Sequence, residues 1–114
     1  LRIDMTNPKR FELPSEIFDL VGRDGWHIEL MLHKMLYDHE FPPYHPEAPM
    51  IVRSLVDNLG ADKIVWGSDM PSCETVTTYS QSKVLYESRC EFLTQEQREA
   101  ILGGNLERLY PAKA

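Results

Sequence analysis

An apolar segment that stops abruptly at a carboxylate constrains the fold of this chain more than any other feature. Ile64–Trp66 is apolar and rich in β-branched residues, and the polar stretch Gly67-Ser68-Asp69 follows it directly, before Met70-Pro71. Such a run predicts a buried parallel strand, and ligands bind at the carboxyl ends of these strands in α/β sheets and barrels. Asp69 is therefore the leading functional candidate. The alternative is a plain turn, because Asp and Ser are common turn residues.

An amphipathic pattern precedes this strand. Apolar residues recur at i, i+3 and i+4 spacing over residues 47–59, which predicts a helix with one buried face. Gly60 follows at once and supplies the stop that a helix C-terminus favours. The apolar positions are Ala48, Ile51, Val52, Leu55, Val56 and Leu59. A helix that leads into a buried strand is a repeating unit of α/β folds.

The rest of the chain also alternates strand and helix patterns. Strands are predicted at residues 1–5 and 26–32, and a short helix at 14–21, which Gly22 ends. Further helices are predicted at 78–92 and from a capping box at Thr94 and Gln97 to Leu102. Along the first of these helices, one face is formed by Tyr79, Tyr86, Cys90 and Leu93. Gly103 and Gly104 end the second helix. Asn105 is then expected to cap one further turn.

The sequence around the predicted strand resembles a known family. The stretches LGADKIVWGSDMP and FLTQEQREAILGGNLERLY are similar to the C-terminal end of the amidohydrolase-2 family, and the resemblance is strong over residues 43–110. RIDMTNP and GWHIELML look like two earlier strands of such enzymes. The resemblance implies an α/β fold, a partial (β/α)8 TIM barrel. This chain would cover its C-terminal strand–helix units and two earlier strands.

The resemblance also implies a chemistry. In this family the Asp of a G-[ST]-D-x-P turn binds a metal or accepts a proton, and that role carries over to Asp69 alone. The implied cofactor is a divalent metal, most often zinc, and the implied activity is attack of activated water on a carbonyl or lactone of a small carboxylate substrate. A metal-dependent decarboxylase of an aromatic or ring-cleavage acid is one alternative. A non-catalytic barrel fragment that serves as an interaction or dimerisation module is another.

Chain length conflicts with a complete barrel. A (β/α)8 barrel needs about 250 residues, whereas this chain has 114 and lacks the His-x-His pair that the family carries on its first strand. We therefore interpret residues 1–114 as a fragment of one hydrolase barrel domain, not expected to be active by itself. A missing segment is expected between residues 32 and 38. An intact mass well above 13.2 kDa would support this gap, and a mass equal to that value would contradict it.

The four histidines lie six residues apart, at positions 27, 33, 39 and 45. Six residues advance about 600° on a helix, so the four would not share one face, and Pro42 and Pro43 rule out one long strand. We interpret the spacing as coincidence and expect His27 to pack within its strand. His45, in a proline-rich loop, is the candidate substrate contact, because such loops carry binding groups. Glu47 could orient it, and His33 and His39 could be ligands only across a missing segment.

Composition narrows the class of protein. The net charge is −6 and no basic patch is present, which argues against nucleic-acid binding. No apolar run reaches the 18 or so residues of a membrane span. Cys73 and Cys90 are too few for a disulfide framework and fit reduced thiols in a cytoplasmic protein. A homo-oligomer is compatible with these features.

Overall fold

Two short parallel strands form the sheet that the helices cover. The computed structural model describes residues 12–31 and 44–113. Strand β1 (Ile28–Leu30) pairs in parallel with strand β2 (Ile64–Trp66), so that Glu29 lies opposite Val65. The amide of Gly67 extends the ladder by donating to the Leu30 carbonyl at 3.1 Å. This confirms the predicted parallel strand, and its first residue, Ile64, is fully buried.

The predicted strand at 26–32 is shorter in the structure. Trp26 and His27 precede β1, and the Trp26 amide donates to the Arg23 carbonyl at 3.3 Å, in a turn that contains Gly25 at φ 80°. The backbone therefore reaches the sheet only at residue 28. The predicted strand at 1–5, residue 32 and the expected gap at 32–38 lie outside the described residues. The described part of the chain is a mixed α/β arrangement, and it does not show a closed barrel.

The helices before β2 follow the sequence prediction closely. Helix α1 spans Ser15–Val21, and the amide of Gly22 closes it on the Phe18 carbonyl. Helix α2 spans Pro49–Leu59, beginning two residues later than predicted because proline favours the first helical position. Gly60 ends α2 at φ 84° and ψ 150°, a conformation that is essentially restricted to glycine.

The C-terminal half contains three more short helices with two wider turns. Helix α3 (Tyr79–Val84) continues as a π-helical segment (Leu85–Arg89), so it ends earlier than the predicted residue 92. Helix α4 (Gln95–Glu99) continues as a second π-helical segment (Ala100–Gly104). Gly103, with non-helical φ and ψ, kinks the chain there, and helix α5 (Asn105–Leu109) follows.

Two details of this region correct the sequence analysis. Asn105 does not cap α5: it is the first helical residue, and its side chain is buried in bonds to the strand region. Tyr79 was grouped on one helix face with Tyr86 and Cys90, yet it is 49% exposed whereas those two are buried. The capping box at Thr94 and Gln97 is confirmed, with bonds of 3.1 and 3.0 Å.

The hydrophobic core lies between the sheet and the helices. β1 and β2 contribute Leu30 and Ile64 to it, and α2 contributes one face. No helix within residues 12–31 and 44–113 has the length and apolar content needed to cross a bilayer. Both cysteines are unpaired and buried. The core members are Leu30, Tyr44, Ala48, Ile51, Val52, Leu55, Ala61, Ile64, Leu85, Tyr86, Cys90, Leu93 and Ile101.

Candidate functional site

Asp69 lies in the loop at the carboxyl end of β2, as the sequence predicted. Its backbone is left-handed, with φ 51°, and it is the only non-glycine residue with positive φ among those described. Asp and Asn tolerate this region better than other side chains because their short polar groups bond locally. Non-glycine residues held in this region tend to cluster at functional sites. The side chain is half-buried, so its carboxylate retains access to solvent.

Local hydrogen bonds hold the Asp69 loop. The Asp69 carbonyl accepts the Cys73 amide at 2.9 Å, which closes one turn immediately after the candidate residue. The Met70 amide donates to the Ser68 hydroxyl at 3.4 Å. A short 3-10 turn (Ser72–Thr75) continues the loop. Backbone and side chains together thus fix the position of Asp69 relative to the end of β2.

Glu29 also reaches this edge of the sheet, although its place in the sequence did not predict a role there. A Cβ atom added at Gly67 would overlap the Glu29 carboxylate and would lie 2.9 Å from Met31 Cγ. The side chain of Glu29 therefore occupies space that only glycine leaves open. One signal was present in the sequence, since a glycine at a strand end often marks close approach of another group. It does not reveal which residue approaches.

Trp66, the last residue of β2, packs against the start of α3. Its ring meets the Tyr79 ring edge-on, with centroids 5.5 Å apart and an interplanar angle of 74°. This geometry is favourable for aromatic pairs. The indole Nε1 is buried and has no hydrogen-bond partner within the part of the chain that the structure describes. Trp66 thus has a packing role beside the Asp69 loop.

His45, the candidate substrate contact, lines a small cavity beside the start of α2. Its Nδ1 accepts the Glu47 amide at 3.1 Å and lies 4.0 Å from the Glu47 carboxylate. The cavity measures about 220 Å³. Its lining residues are His45, Pro46, Pro49, Ser88, Arg89 and Glu91. The structure thus places Glu47 where it can orient His45, and Asp69 is not among the described residues that line this cavity.

An open cleft of about 440 Å³ borders the segment that follows the Asp69 loop. Among the described residues, its walls carry a carboxylate, three threonine hydroxyls and an amide. All of these groups can accept hydrogen bonds, and the hydroxyls and the amide can also donate them. The lining residues are Glu74, Thr75, Val76, Thr77, Thr78 and Gln81.

The described residues do not by themselves form a metal centre. Within residues 12–31 and 44–113, no three His, Cys, Asp or Glu side chains are grouped closely enough to hold an ion. His27 lies before β1 and is half-buried. His33 and His39 lie outside the described residues. Asp69 offers an oxygen ligand suitable for a divalent ion, and a complete site would need ligands from outside the described residues.

The titratable groups with shifted pKa values belong to the core. Burial raises the pKa of Tyr86 well above its usual range, and the nearby Tyr44 and Cys90 raise it further. Burial likewise raises the pKa of Tyr44, with a smaller contribution from Cys73. Burial raises the pKa of Cys90 to about 12, although Arg98 and Arg53 oppose the shift. These groups stay neutral at physiological pH and serve packing.

Comparison with known proteins identifies the family. The searches of curated proteins and of solved structures returned no match. The family model for amidohydrolase-2, described as amidohydrolase, matches residues 8–112, which is nearly the whole chain. The match includes β1, α2, β2 and the Asp69 loop. Enzymes of this family generally use divalent metals. The chain belongs to the amidohydrolase family.

Proposed function

We propose that the protein is a metal-dependent hydrolase that activates water for attack on a carbonyl or lactone of a small carboxylate substrate. Family membership supports a hydrolase-type activity. The observation that carries the proposal is the left-handed backbone of Asp69 at the carboxyl end of a parallel strand. A polar side chain held at this edge by its own loop is in the position where α/β enzymes place catalytic groups.

In this proposal Asp69 accepts the proton of the attacking water and passes it to the leaving group. A carboxylate can do this when it lies within hydrogen-bond reach of the water, directly or through one further water. Asp69 would also bind a divalent ion, zinc in the first instance, together with ligands from outside the described residues. A bound metal ion lowers the pKa of water toward neutrality. We propose that His45 contacts the substrate in its cavity and takes no part in the proton transfer.

The backbone of Asp69 determines which variant tests the proposal best. Asn tolerates a left-handed backbone about as well as Asp, whereas Ala there adds strain of about 1–2 kcal/mol. Asp69→Asn therefore removes the charge and keeps the loop. Turnover is expected to fall by about 10²–10⁴-fold, the usual contribution of a general base. The assay is made on the protein with its complete barrel domain, because residues 1–114 are not expected to be active alone, and it uses lactones and aromatic acids with zinc or manganese added.

Two controls separate lost chemistry from lost structure. Asp57→Asn removes an exposed carboxylate from α2 and is expected to leave turnover unchanged. Circular dichroism and thermal unfolding of Asp69→Asn should match the unsubstituted protein. Unchanged turnover in Asp69→Asn would remove Asp69 from the mechanism.

The same substrate panel distinguishes the alternative activities. Ring opening of a lactone supports the hydrolase, and release of carbon dioxide from an aromatic acid supports the decarboxylase. No turnover, combined with concentration-dependent association in sedimentation, supports the non-catalytic interaction module. Beside this function we propose a small carboxylate molecule as the partner, a cytoplasmic location, no nucleic-acid or membrane partner, and compatibility with a homo-oligomer. None of these follows from Asp69 alone.

A further inference from the structure

Glu29 lies on the face of the sheet that points away from the hydrophobic core. In the pairing of β1 with β2, Glu29 is opposite Val65, so the two side chains share one face. Their neighbours Leu30 and Ile64 point to the other face and belong to the core. Glu29 is exposed in the described part of the chain. Its carboxylate is therefore accessible on the side of the sheet opposite the core.

The side chain of Glu29 runs along the sheet toward the carboxyl end of β2. At the level of its Cα atom the partner is Val65, yet its carboxyl carbon would lie 2.9 Å from a Cβ atom added at Gly67, two residues further on. Two residues of a strand span about 7 Å. The carboxylate thus lies against Gly67, and Asp69 follows two residues later. Glu29 and Asp69 reach the same edge of the sheet from different strands.

A carboxylate at this place has a different meaning from one inside an apolar layer. In a (β/α)8 barrel the face away from the helices is the interior, which bulky apolar residues mostly fill, and the carboxyl edge carries the active site. A charge in the apolar layers is costly unless a partner compensates for it. Because Glu29 reaches past its own level to the edge, a bound ligand can be that partner.

We propose that Glu29 is a specificity-determining residue of the Asp69 site, and that it selects substrates with a hydrogen-bond donor, a hydroxyl or an ammonium group, beside the reacting carbonyl. An ionised carboxylate only accepts hydrogen bonds. It therefore attracts such a donor and repels a carboxylate, so the carboxylate of the substrate lies on the side away from Gly67. The reacting carbonyl in this proposal rests on the proposed function, whereas the preference for a donor group can be measured without turnover.

The first test concerns the contact between Glu29 and Gly67, in the protein with its complete barrel domain. Gly67→Ala should lower the melting temperature, because the added methyl group would overlap the Glu29 carboxylate. In the double variant with Glu29→Ala, part of this loss should be recovered. Recovery is partial because Met31 Cγ lies 2.9 Å from the same methyl position. Strictly additive losses would show that the two residues do not touch and would overturn the proposal.

Equilibrium binding to the same protein tests the choice of ligand. Succinate, malate and aspartate differ in carrying a hydrogen atom, a hydroxyl or an ammonium group beside one carboxylate. Titration calorimetry should show malate or aspartate binding about 10- to 100-fold more tightly than succinate, the usual effect of a hydrogen bond to a charged group. The stronger of the two identifies the donor as hydroxyl or ammonium.

Two glutamine variants separate this charge from charge in general. Glu29→Gln keeps the shape of the side chain and replaces an ionised acceptor with a neutral one, so the preference should fall about tenfold. Glu16→Gln removes an exposed carboxylate from α1 and should keep the preference. Equal binding of the three acids by the unsubstituted protein, including no binding of any of them, would overturn the proposal.

Kinetics separate recognition of the substrate from the chemical step. For a lactone that carries a hydroxyl beside its carbonyl, Glu29→Gln should raise KM about tenfold and leave kcat nearly unchanged, because the lost contact holds substrate and transition state equally. A fall in kcat at unchanged KM would overturn the role of Glu29 and leave that of Asp69 intact. Full turnover in Asp69→Asn would instead reject the proposed function, while the preference among the three acids still stood.

Discussion

Asn105 shows how a single side chain joins distant parts of this chain. It is 1% exposed, and its amide nitrogen donates to the carbonyls of Ala61 and Ile64 at 2.8 and 2.7 Å. Its carbonyl oxygen accepts from Arg108. One residue of α5 thus satisfies two backbone groups at the beginning of β2, where water has little access. Leaving a buried carbonyl without such a hydrogen-bond donor lowers the free energy of unfolding.

Replacing Asn105 should therefore destabilise the protein strongly. Asn105→Ala leaves the Ala61 and Ile64 carbonyls without this donor, and each lost bond costs about 1–3 kcal/mol. We expect the free energy of unfolding in urea to fall by about 2–4 kcal/mol. Asn58→Ala is the matched control, because Asn58 makes a similar bond to the Ser54 carbonyl at 2.7 Å on an exposed helix surface. A loss in Asn105→Ala no larger than in Asn58→Ala would contradict this account.

Among single residues, those of the candidate site could be predicted only where the pattern that marks them is contiguous in the sequence. Asp69 was recognisable because an apolar strand, a small Gly-Ser pair and a carboxylate are contiguous. Glu29 was not, because its approach to Gly67 depends on the pairing of β1 with β2. Asn105 was misassigned for a related reason: asparagine is a common cap, and nothing near it in sequence indicates carbonyl partners on another element.

Among the elements, the short helices of the C-terminal half depend on their caps. Helices α3 and α4 have only six and five α-helical residues, so packing and capping must offset the cost of initiating them. Each begins with a complete capping box. Thr78 with Gln81 repeats the arrangement of Thr94 with Gln97. The Thr94 box was predicted, whereas the Thr78 box was not identified from the sequence.

Removing the Thr94 cap of α4 is predicted to destabilise the protein. In Thr94→Ala the Gln97 amide loses its side-chain acceptor, and the free energy of unfolding is expected to fall by about 1 kcal/mol. Thr94→Ser keeps the hydroxyl, so its free energy of unfolding should fall much less. Thr75→Ala serves as the control, because the Thr75 hydroxyl bonds the Ser72 carbonyl at 3.0 Å on an exposed turn and caps no helix. Equal losses in the Ala and Ser variants at position 94 would contradict a capping role.

The boundaries of elements were predictable where short-range patterns set them. The apolar periodicity of α2 and its glycine stop are contained in the sequence of the helix itself, and both were confirmed. The π-helical turns at Leu85–Arg89 and Ala100–Gly104 were not predicted. Such wide turns differ from an α-helix by one residue in the hydrogen-bond register, and local apolar periodicity does not separate the two.

For the molecule as a whole, the core sets a limit on alkaline stability. The pKa of Cys90 is raised to about 12 in the folded protein, from 9.0 for a free thiol. Between these values the unfolded chain releases the thiol proton while the folded chain keeps it. Stability is therefore fully present below pH 9 and falls as pH rises toward 12. Tyr44 and Tyr86, with pKa values also raised by burial, act in the same direction.

The pH dependence can be assigned to Cys90 by substitution. Above pH 9, each further pH unit should lower the free energy of unfolding by about 1.4 kcal/mol for each buried thiol with such a raised pKa. Urea unfolding at several pH values measures this slope. In Cys90→Ala the overall stability drops, because a small cavity forms, but the fall with pH should become shallower. An identical slope in the variant would show that Cys90 contributes nothing to it.

The family was predictable from the chain, whereas the whole barrel was not. The strand and turn around Asp69 and the C-terminal helices carry enough local pattern to reveal the amidohydrolase resemblance, which the family match confirms. A barrel depends on pairings among strands far apart in sequence, and the described residues contain one such pair. The expected segment between residues 32 and 38 stays a prediction for intact-mass measurement.

The anchoring of α5 by Asn105 has a practical consequence for attaching the protein to a surface. Beyond α5 the chain is exposed, and Tyr110 is 78% accessible. A thiol-reactive linker on a Tyr110→Cys variant, or an affinity handle placed at position 110, would leave the Asn105 amide in its bonds to Ala61 and Ile64. Removal of residues from 105 onward would instead withdraw that amide from the core. Position 110 is thus the preferred point for immobilisation on a biosensor chip.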